Sequence, residues 1–222
     1  MLAQLLFAAT ALEVVVGSGA LIFDDLDCGR IRGCWSFPGG CQGSSCHGLI
    51  RWAYNGTVLN IEMVSKDHAI FQSGRYIALG FSTDGAMGDD TVFECVFGSA
   101  GTAAAYISHN HPSSNNQLLD ATKKMIRSNS SMVKDGYTIC EMEVDLTQRE
   151  RVEDHERNQI HDLRDKSWVL QFARGLTDPE TGEKIIHSLD DDEFYPWTTD
   201  EKVTICASCP DRFKAIKKMQ QF

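Results

Sequence analysis

Runs of residues in which every second side chain is apolar recur along this chain and predict β-strands. Two of these runs lie within residues 75–97 and flank residues 82–90, which are rich in Gly and Asp. A period of two places alternate side chains on opposite faces of a strand, and Gly and Asp accept turn geometry. This stretch therefore predicts two strands joined by a loop at one end of a sheet. The alternating apolar positions are Ile77, Leu79 and Phe81 in the first run and Phe93, Cys95 and Phe97 in the second.

The same alternation occurs on both sides of this pair. It predicts a hairpin in residues 50–63, a strand in residues 103–108 and two further strands in residues 139–146 and 168–172. Short strands at regular spacing, with turn residues between them, are typical of an all-β fold in which two sheets bury their inner faces against each other. We therefore predict an antiparallel β-sandwich.

Two stretches lack this alternation. Residues 148–166 are dense in charge, and their only apolar members of any size are Val152, Ile160 and Leu163, which predicts a solvated helix or a long loop. The acidic residues 190–193 and the tail after them are predicted to lie at the surface. We expect both stretches to lie outside the core.

Composition and charge narrow the function classes. The chain has 222 residues, of which 42% are hydrophobic and 23% charged, and this is enough for one core with tails. Its formal net charge of −10 repels a phosphate backbone, so we expect no nucleic-acid partner. The nucleophile elbow, phosphate loop, zinc-binding helix and dinucleotide motif of common enzyme classes do not occur in the sequence. We therefore expect that the chain is not an enzyme by itself.

Residues 1–20 form an apolar run with small residues at Ser18 and Ala20, and they predict a signal peptide. A buried first helix is the alternative. No other apolar run approaches the roughly 20 residues that span a bilayer. The expected location is therefore extracellular, for a secreted protein without a membrane span.

The cysteines agree with export, because an even count in an exported chain most simply forms disulfides. Four of them lie in residues 21–46, a Gly-rich segment that is predicted to be a disulfide-stapled N-terminal cap, and two more would hold the C-terminal tail. Zinc ligation by Cys206 and Cys209, or by the N-terminal cluster with His47, is the competing interpretation. The pairing stays open, because the two strand cysteines can pair with each other or with the tail. The disulfide candidates are Cys28, Cys34, Cys41, Cys46, Cys95, Cys140, Cys206 and Cys209.

Two short motifs predict N-glycosylation in an exported protein. Asn55 is followed by Gly and Thr, and Asn129 is followed by two Ser residues. The first lies in the predicted turn of the hairpin, where the side chain would be exposed.

The strand in residues 76–82, the sequence Met-Gly-Asp-Asp in residues 87–90 and the strand in residues 91–95 together resemble the DOMON family. This family of β-sandwich domains includes the cytochrome domain of cellobiose dehydrogenase and the DOMON domain of dopamine beta-monooxygenase. A Trp-containing strand before this region and another Trp-containing strand after it fit the same resemblance. It implies a DOMON domain in residues 47–190, with a C-terminal tail in residues 191–222.

The resemblance also implies a cofactor. In haem-binding DOMON domains, haem b lies at one end of the sandwich between a Met and a His, and the matching positions here are Met87 and His187. A haem with both axial positions filled shuttles electrons, so the implied function is extracellular electron transfer with a redox partner protein. The acidic residues 190–193 would repel the haem propionates unless Arg174 or Lys184 offsets them.

Other interpretations stay open. A cofactor-free module for glycans or proteins is the main alternative, and aromatic side chains could stack on sugar rings. His109 and His111 would share a strand face and could bind iron or copper. A calcium site in the Gly- and Asp-rich loop is the weakest, since its carboxylates lack the spacing of a calcium loop. The aromatic candidates are Trp35, Trp52, Tyr54 and Trp197, and the loop carboxylates are Asp84, Asp89 and Asp90.

Overall fold

The structure is a computed structural model that describes residues 23, 26–68, 74–98, 102–190, 192, 194–208 and 215–216. The predicted signal peptide, residues 1–20, lies outside these residues. The strands, in chain order, are β1 (Gly33–Phe37), β2 (Gly48–Tyr54), β3 (Val58–Lys66), β4 (Arg75–Ser82), β5 (Asp90–Phe97), β6 (Ala103–His111), β7 (Ser114–Gln117), β8 (Ile126–Lys134), β9 (Tyr137–Asp145), β10 (Ser167–Leu176), β11 (Trp197–Thr198), β12 (Val203–Thr204) and β13 (Ala215–Ile216). The helices are α1 (Leu119–Met125) and α2 (Asp154–Arg157), with 3-10 turns at Gly43–Ser45 and Leu146–Arg151.

These strands form two sheets. The first sheet has the order β13-β1-β2-β3-β9-β8, and the second has the order β11-β10-β4-β5-β6-β7, with β12 paired to β10. Neighbouring strands are antiparallel except β1 and β13, which are parallel. The inner faces pack into one hydrophobic core, as the alternation of apolar residues predicted. The antiparallel β-sandwich is confirmed.

A disulfide joins the two sheets through the middle of the core. Cys95 on β5 is bonded to Cys140 on β9, and both side chains are fully buried. Around them pack the inward-facing residues of both sheets, including Leu79 and Phe93 from the second and Ile61 from the first. The alternating positions in residues 75–97 therefore face the core, as predicted.

The second sheet is buried on its outer face as well. Tyr76, Ala78 and Val92 form a separate small apolar cluster on that face, with Val96 packed against them. The outer positions of an antiparallel sheet are usually polar, so a buried outer face indicates a further layer of chain above it. Residues 184–189 and 195–198 supply part of that layer.

The N-terminal cap is held by two short-range disulfides, Cys28–Cys34 and Cys41–Cys46. These cysteines pack with Leu49 on the outer face of the first sheet. Cys206 is also disulfide-bonded, whereas Cys209 lies outside the described residues. No described cysteine is free, so a zinc thiolate site formed by them is wrong.

The tail and the charged stretch differ in part from the prediction. Trp197, Val203 and Ile205 are buried in the main core, although the tail was expected at the surface. Residues 148–166 contain only short helical turns, and their three large apolar side chains reach into the core while the charges stay outside. In both places a few apolar residues anchor a polar segment that has no strand periodicity. Over the described part of the chain, no helix has the length and apolar character to cross a bilayer.

Candidate functional site

A cavity of about 510 Å³ opens on the outer face of the second sheet. Its floor is formed by β4, β5 and β10, and its walls come from three segments that rise above the sheet. These are residues 85–87 in the β4–β5 loop, residues 113–115 around the β6–β7 turn, and residues 184–189, which we call the strap. Residues 195–198 close the remaining side.

The centre of the floor is apolar and built mainly of small residues, and the larger Tyr76, Glu94 and Gln171 lie around it. Ala78 and Gly80 on β4, Val92 on β5 and Ala173 on β10 line it. A Cβ atom at position 80 would lie 3.0 Å from the Gln171 Oε1 atom and 3.4 Å from the Gln171 Cβ atom, so glycine keeps the centre of the floor low. This arrangement leaves room for a broad, flat apolar ligand.

Met87 lies in the β4–β5 loop, which is held by side-chain hydrogen bonds along its length. The Gln171 side-chain amide donates to the carbonyl oxygens of Gly85, at 2.8 Å, and Ala86, at 3.1 Å. At the start of the loop, the backbone N–H of Gly85 donates to the Ser82 hydroxyl, at 3.0 Å. The position of Met87 is thus determined by the sheet beneath it.

The end of the loop is fixed by a buried carboxylate. Asp90 Oδ2 accepts hydrogen bonds from the backbone N–H of Gly88 and from the Asn110 side chain, each at 3.1 Å. Burial raises the pKa of Asp90, and these hydrogen bonds act in the opposite direction. Asp89 between them adopts a positive φ of 57°, a conformation that Asp tolerates in turns.

His187 lies in the strap and lines the same cavity as Met87. Its Nδ1 atom is 2.9 Å from the carbonyl oxygen of Ser188. A carbonyl only accepts, so Nδ1 is the donor here, and in the neutral form of the ring Nε2 keeps a lone pair. Met87 and His187, the two residues that the sequence proposed, therefore line the same cavity.

The mouth of the cavity is rimmed by exposed apolar side chains. Met87 is 41% exposed, Ile186 is 68% exposed and Leu189 is 75% exposed, and all three line the cavity. Ile185 is exposed beside them. A concentration of exposed apolar residues around a concave site indicates a ligand or partner surface.

A buried ion pair lies at one side of the floor. Glu94 on β5 and Lys184 in the strap are in contact, and both line the cavity. The Lys184 ammonium also lies 5.8 Å from the centre of the Tyr76 ring. Burial, and then the Glu94 carboxylate, raise the pKa of Tyr76, so this phenol stays neutral.

The two cations that were proposed to offset propionates have different surroundings. Lys184 lines the cavity, but its charge is paired with Glu94. Arg174 is buried and donates to the His47 carbonyl at 3.1 Å and to the Ser65 hydroxyl at 3.2 Å, away from the cavity lining. Arg174 is therefore wrong as a partner for a ligand in this cavity.

The other metal candidates do not form a cluster. His109 and His111 share a face of β6, as predicted, with ring centroids 4.8 Å apart. The carboxylates of the β4–β5 loop do not meet around a common point. Among the described residues, no group of three or more His, Cys, Asp or Glu side chains could hold a metal ion.

The aromatic side chains considered for sugar stacking belong to the interior. Trp35, Trp52 and Trp197 are buried in the main core, and Tyr54 packs against it. Trp35 is therefore enclosed, whereas Trp197 also lines the cavity on the second sheet. The two sequon residues, Asn55 and Asn129, are both exposed.

Sequence reasoning missed three residues that shape the cavity, namely Tyr76, Glu94 and Gln171. Glu94 had a usable signal, because it is the only charged residue between Thr91 and Phe97 in an otherwise apolar strand. A buried carboxylate needs a partner, and this requirement predicts a cation or several donors above that face. Nothing in the local pattern distinguishes Tyr76 or Gln171 from other strand residues.

Comparisons with known proteins identify the family. Residues 44–175 match the sequence model of the DOMON domain. A Drosophila melanogaster protein named as a ferric-chelate reductase 1 homolog is 28% identical over 159 residues, which cover 67% of this chain. The chain spans only 22% of the length of that relative. Because the family match extends over more than half of the sequence and the fold is the sandwich that the resemblance implied, this chain belongs to the DOMON domain family.

Proposed function

We propose that this chain is an extracellular electron-transfer domain that holds haem b in the outer-face cavity between Met87 and His187. One observation carries the proposal: these two residues come from distant parts of the chain and line the same cavity. A thioether and an imidazole are a donor pair that suits haem iron.

The shape and the apolar lining of the cavity fit the macrocycle of such a group. Its volume of about 510 Å³ lies in the range of small-molecule and cofactor sites. The low floor at Gly80 and Ala173 suits the flat face of a macrocycle, and the exposed apolar rim would be covered by it. The hydrogen bond from His187 Nδ1 to Ser188 fixes the tautomer that leaves Nε2 as a ligand.

Bound haem would supply a site for one-electron oxidation and reduction. The residues of the chain would set its properties. Met87 as a ligand favours the reduced state and raises the potential, and ligation by both residues leaves no position for oxygen. The apolar floor would exclude water from one face of the group.

The name of the Drosophila melanogaster relative is consistent with an electron-transfer role. That protein is named for the reduction of ferric chelates, and the matched region is a small part of it. We propose that this chain exchanges electrons with a separate redox partner protein. The disulfides fit an oxidising, extracellular location, and exposed Asn55 and Asn129 are available for glycosylation there.

A haemin titration of the full chain tests the proposal. We expect one haem per chain, with the sharp spectrum of a low-spin, six-coordinate iron that persists on reduction. His187→Ala should bind haem more weakly and lose this spectrum. A protein that stays colourless at excess haemin would overturn the proposal, and it would leave a cofactor-free module for glycans or proteins as the function.

A further inference from the structure

The strap that carries His187 has few apolar contacts to hold it. Ile185, Ile186 and Leu189 are all exposed. Its backbone is tied to the sheet at two points. The Ile185 N–H donates to the Leu176 carbonyl at 2.9 Å, and the main chain of His187 is hydrogen-bonded to the Tyr76 hydroxyl. A short segment with so little burial needs another anchor to stay in one place.

Lys184, at the start of the strap, provides that anchor. Its ammonium contacts both the Glu94 carboxylate on β5 and the Asn115 side-chain oxygen on β7. The Lys184 side chain is 17% exposed and the Glu94 side chain 1% exposed, so the pair is largely withdrawn from water. Charge-assisted hydrogen bonds in such surroundings are stronger than neutral ones.

Glu94 is itself held from the sheet side. The Ser108 hydroxyl and the Gln117 side-chain amide donate to it, each at 3.0 Å. Its carboxylate is therefore a fixed, fully satisfied acceptor, and the strap docks on it through Lys184. A buried ion pair of this kind is strongly sensitive to loss of one partner.

The same ammonium joins two walls of the cavity. Asn115 lines the cavity on the β7 side, and its amide donates to Ser108 at 3.1 Å and to Asn110 at 2.9 Å. Lys184 thus connects the strap to the opposite wall as well as to the floor.

We propose that Lys184, through its ion pair with Glu94, is a positioning residue of the site and holds the strap over the cavity that His187 and Met87 line. The identity of His187 as an iron ligand rests on the proposed function. The anchoring of the strap does not depend on it.

Two measurements on the full chain distinguish the anchoring of the strap from the binding of haem by His187. In the protein without haem, hydrogen exchange of the Ile185 amide reports how firmly the strap is docked. We expect Lys184→Ala to speed this exchange by roughly tenfold or more, as loss of a charge-assisted hydrogen bond predicts. Lys124→Ala, which removes an exposed ion pair with Asp120, is the matched control and should leave it unchanged.

A double variant distinguishes loss of the strap's anchor from misfolding of the whole chain. Lys184→Ala leaves Glu94 buried without its cation, whereas Lys184→Ala with Glu94→Gln removes both charges. We expect the double variant to keep the sandwich, with β4 and β5 amides protected as in the wild type, and still to show fast exchange at Ile185. With haemin, the double variant should contain five-coordinate iron where the wild type has six-coordinate iron. The single variant Lys184→Arg keeps a cation beside Glu94 and should retain part of the six-coordinate spectrum.

Wild-type exchange at Ile185 in the double variant would overturn the inference, whatever haem does. If the wild-type chain takes up no haemin while Lys184→Ala still frees the strap, the anchor stands and the proposed cofactor fails. If haemin binds and the double variant keeps full six-coordination, Lys184 does not position His187.

Discussion

Met87 and His187 line one cavity although the first lies in the β4–β5 loop and the second in the strap after β10. The register of the second sheet explains how they meet. β10 pairs with β4 so that Val169 lies opposite Ser82, which places the loop after β4 beside the start of β10. The chain that leaves the far end of β10 then turns back over the outer face and carries His187 toward the loop.

Replacing Met87 tests one side of the cavity. We expect Met87→Ala to keep the fold, because the side chain is partly exposed, and to remove the low-spin spectrum of haem-loaded protein. The midpoint potential should fall, since a thioether ligand favours the reduced iron. Met132→Ala on β8, another exposed methionine but on the first sheet, is the matched control and should change neither property.

Filling the floor tests where the ligand lies. Ala173 lines the cavity, so Ala173→Leu should occupy the space of a bound macrocycle and weaken haemin binding by roughly ten- to a hundredfold, the equivalent of about 1–3 kcal/mol of steric conflict. Ala53→Leu makes the same change on the outer face of the first sheet. Equal haemin affinity in these two variants would show that the ligand binds elsewhere.

Much of this fold follows from the sequence because alternation survives where one strand face is buried. The inward positions of β4, β5 and β9 alternate cleanly, and each was assigned correctly. β7 and β8 were missed because their side chains are almost all exposed or half-buried, so no apolar period marks them. The buried outer face of β4 was also unreadable, since it depends on the strap, which arrives from a distant part of the chain.

The disulfide between the sheets should contribute to stability without shaping the cavity. Cys95 and Cys140 are separated by 45 residues, and loss of a bridge of this kind costs about 2–4 kcal/mol. We expect the free energy of unfolding of the double variant Cys95→Ala, Cys140→Ala to be lower by that amount. Its midpoint of unfolding should therefore lie at a lower denaturant concentration. Haemin affinity in the absence of denaturant should stay near the wild-type value, because neither cysteine lines the cavity.

Acid should begin to destabilise the fold just below pH 6.5, because His109 is buried. Burial lowers the pKa of His109 below its ordinary value of 6.5, and a hydrogen bond to the main chain of Gln159 opposes this shift. The neighbouring His111 and His161 lower the pKa further by smaller amounts, and Asp89 raises it slightly. The unfolded chain therefore binds a proton more readily than the folded one below pH 6.5. Stability should fall as the pH drops from 6.5 through the lower, folded-state pKa.

Denaturant unfolding at a series of pH values checks this expectation. His109→Gln stays neutral at every pH and should show a flatter profile between neutral pH and pH 5 or so. His155→Gln, which replaces an exposed histidine, should keep the wild-type slope. A His109→Gln profile as steep as that of the wild type would show that another group causes the loss.

The candidate site was only partly readable from the sequence. Met87 and His187 came from a family resemblance, and nothing in their local patterns marks them as neighbours. The position of Glu94 in an apolar strand predicts that it has a partner, but only the path of the strap shows that this partner is Lys184. Contacts between distant segments produce no periodic pattern in the sequence. The walls of the cavity could therefore be identified only from the structure.

Magnetic circular dichroism of the haem-loaded wild-type protein tests the central claim most directly, because it identifies the axial ligands of the iron. We predict one low-spin haem per chain with methionine and histidine ligands, and loss of the methionine signature in Met87→Ala. Iron with two histidine ligands, or a high-spin haem without a thioether, would contradict the placement of the cofactor between Met87 and His187.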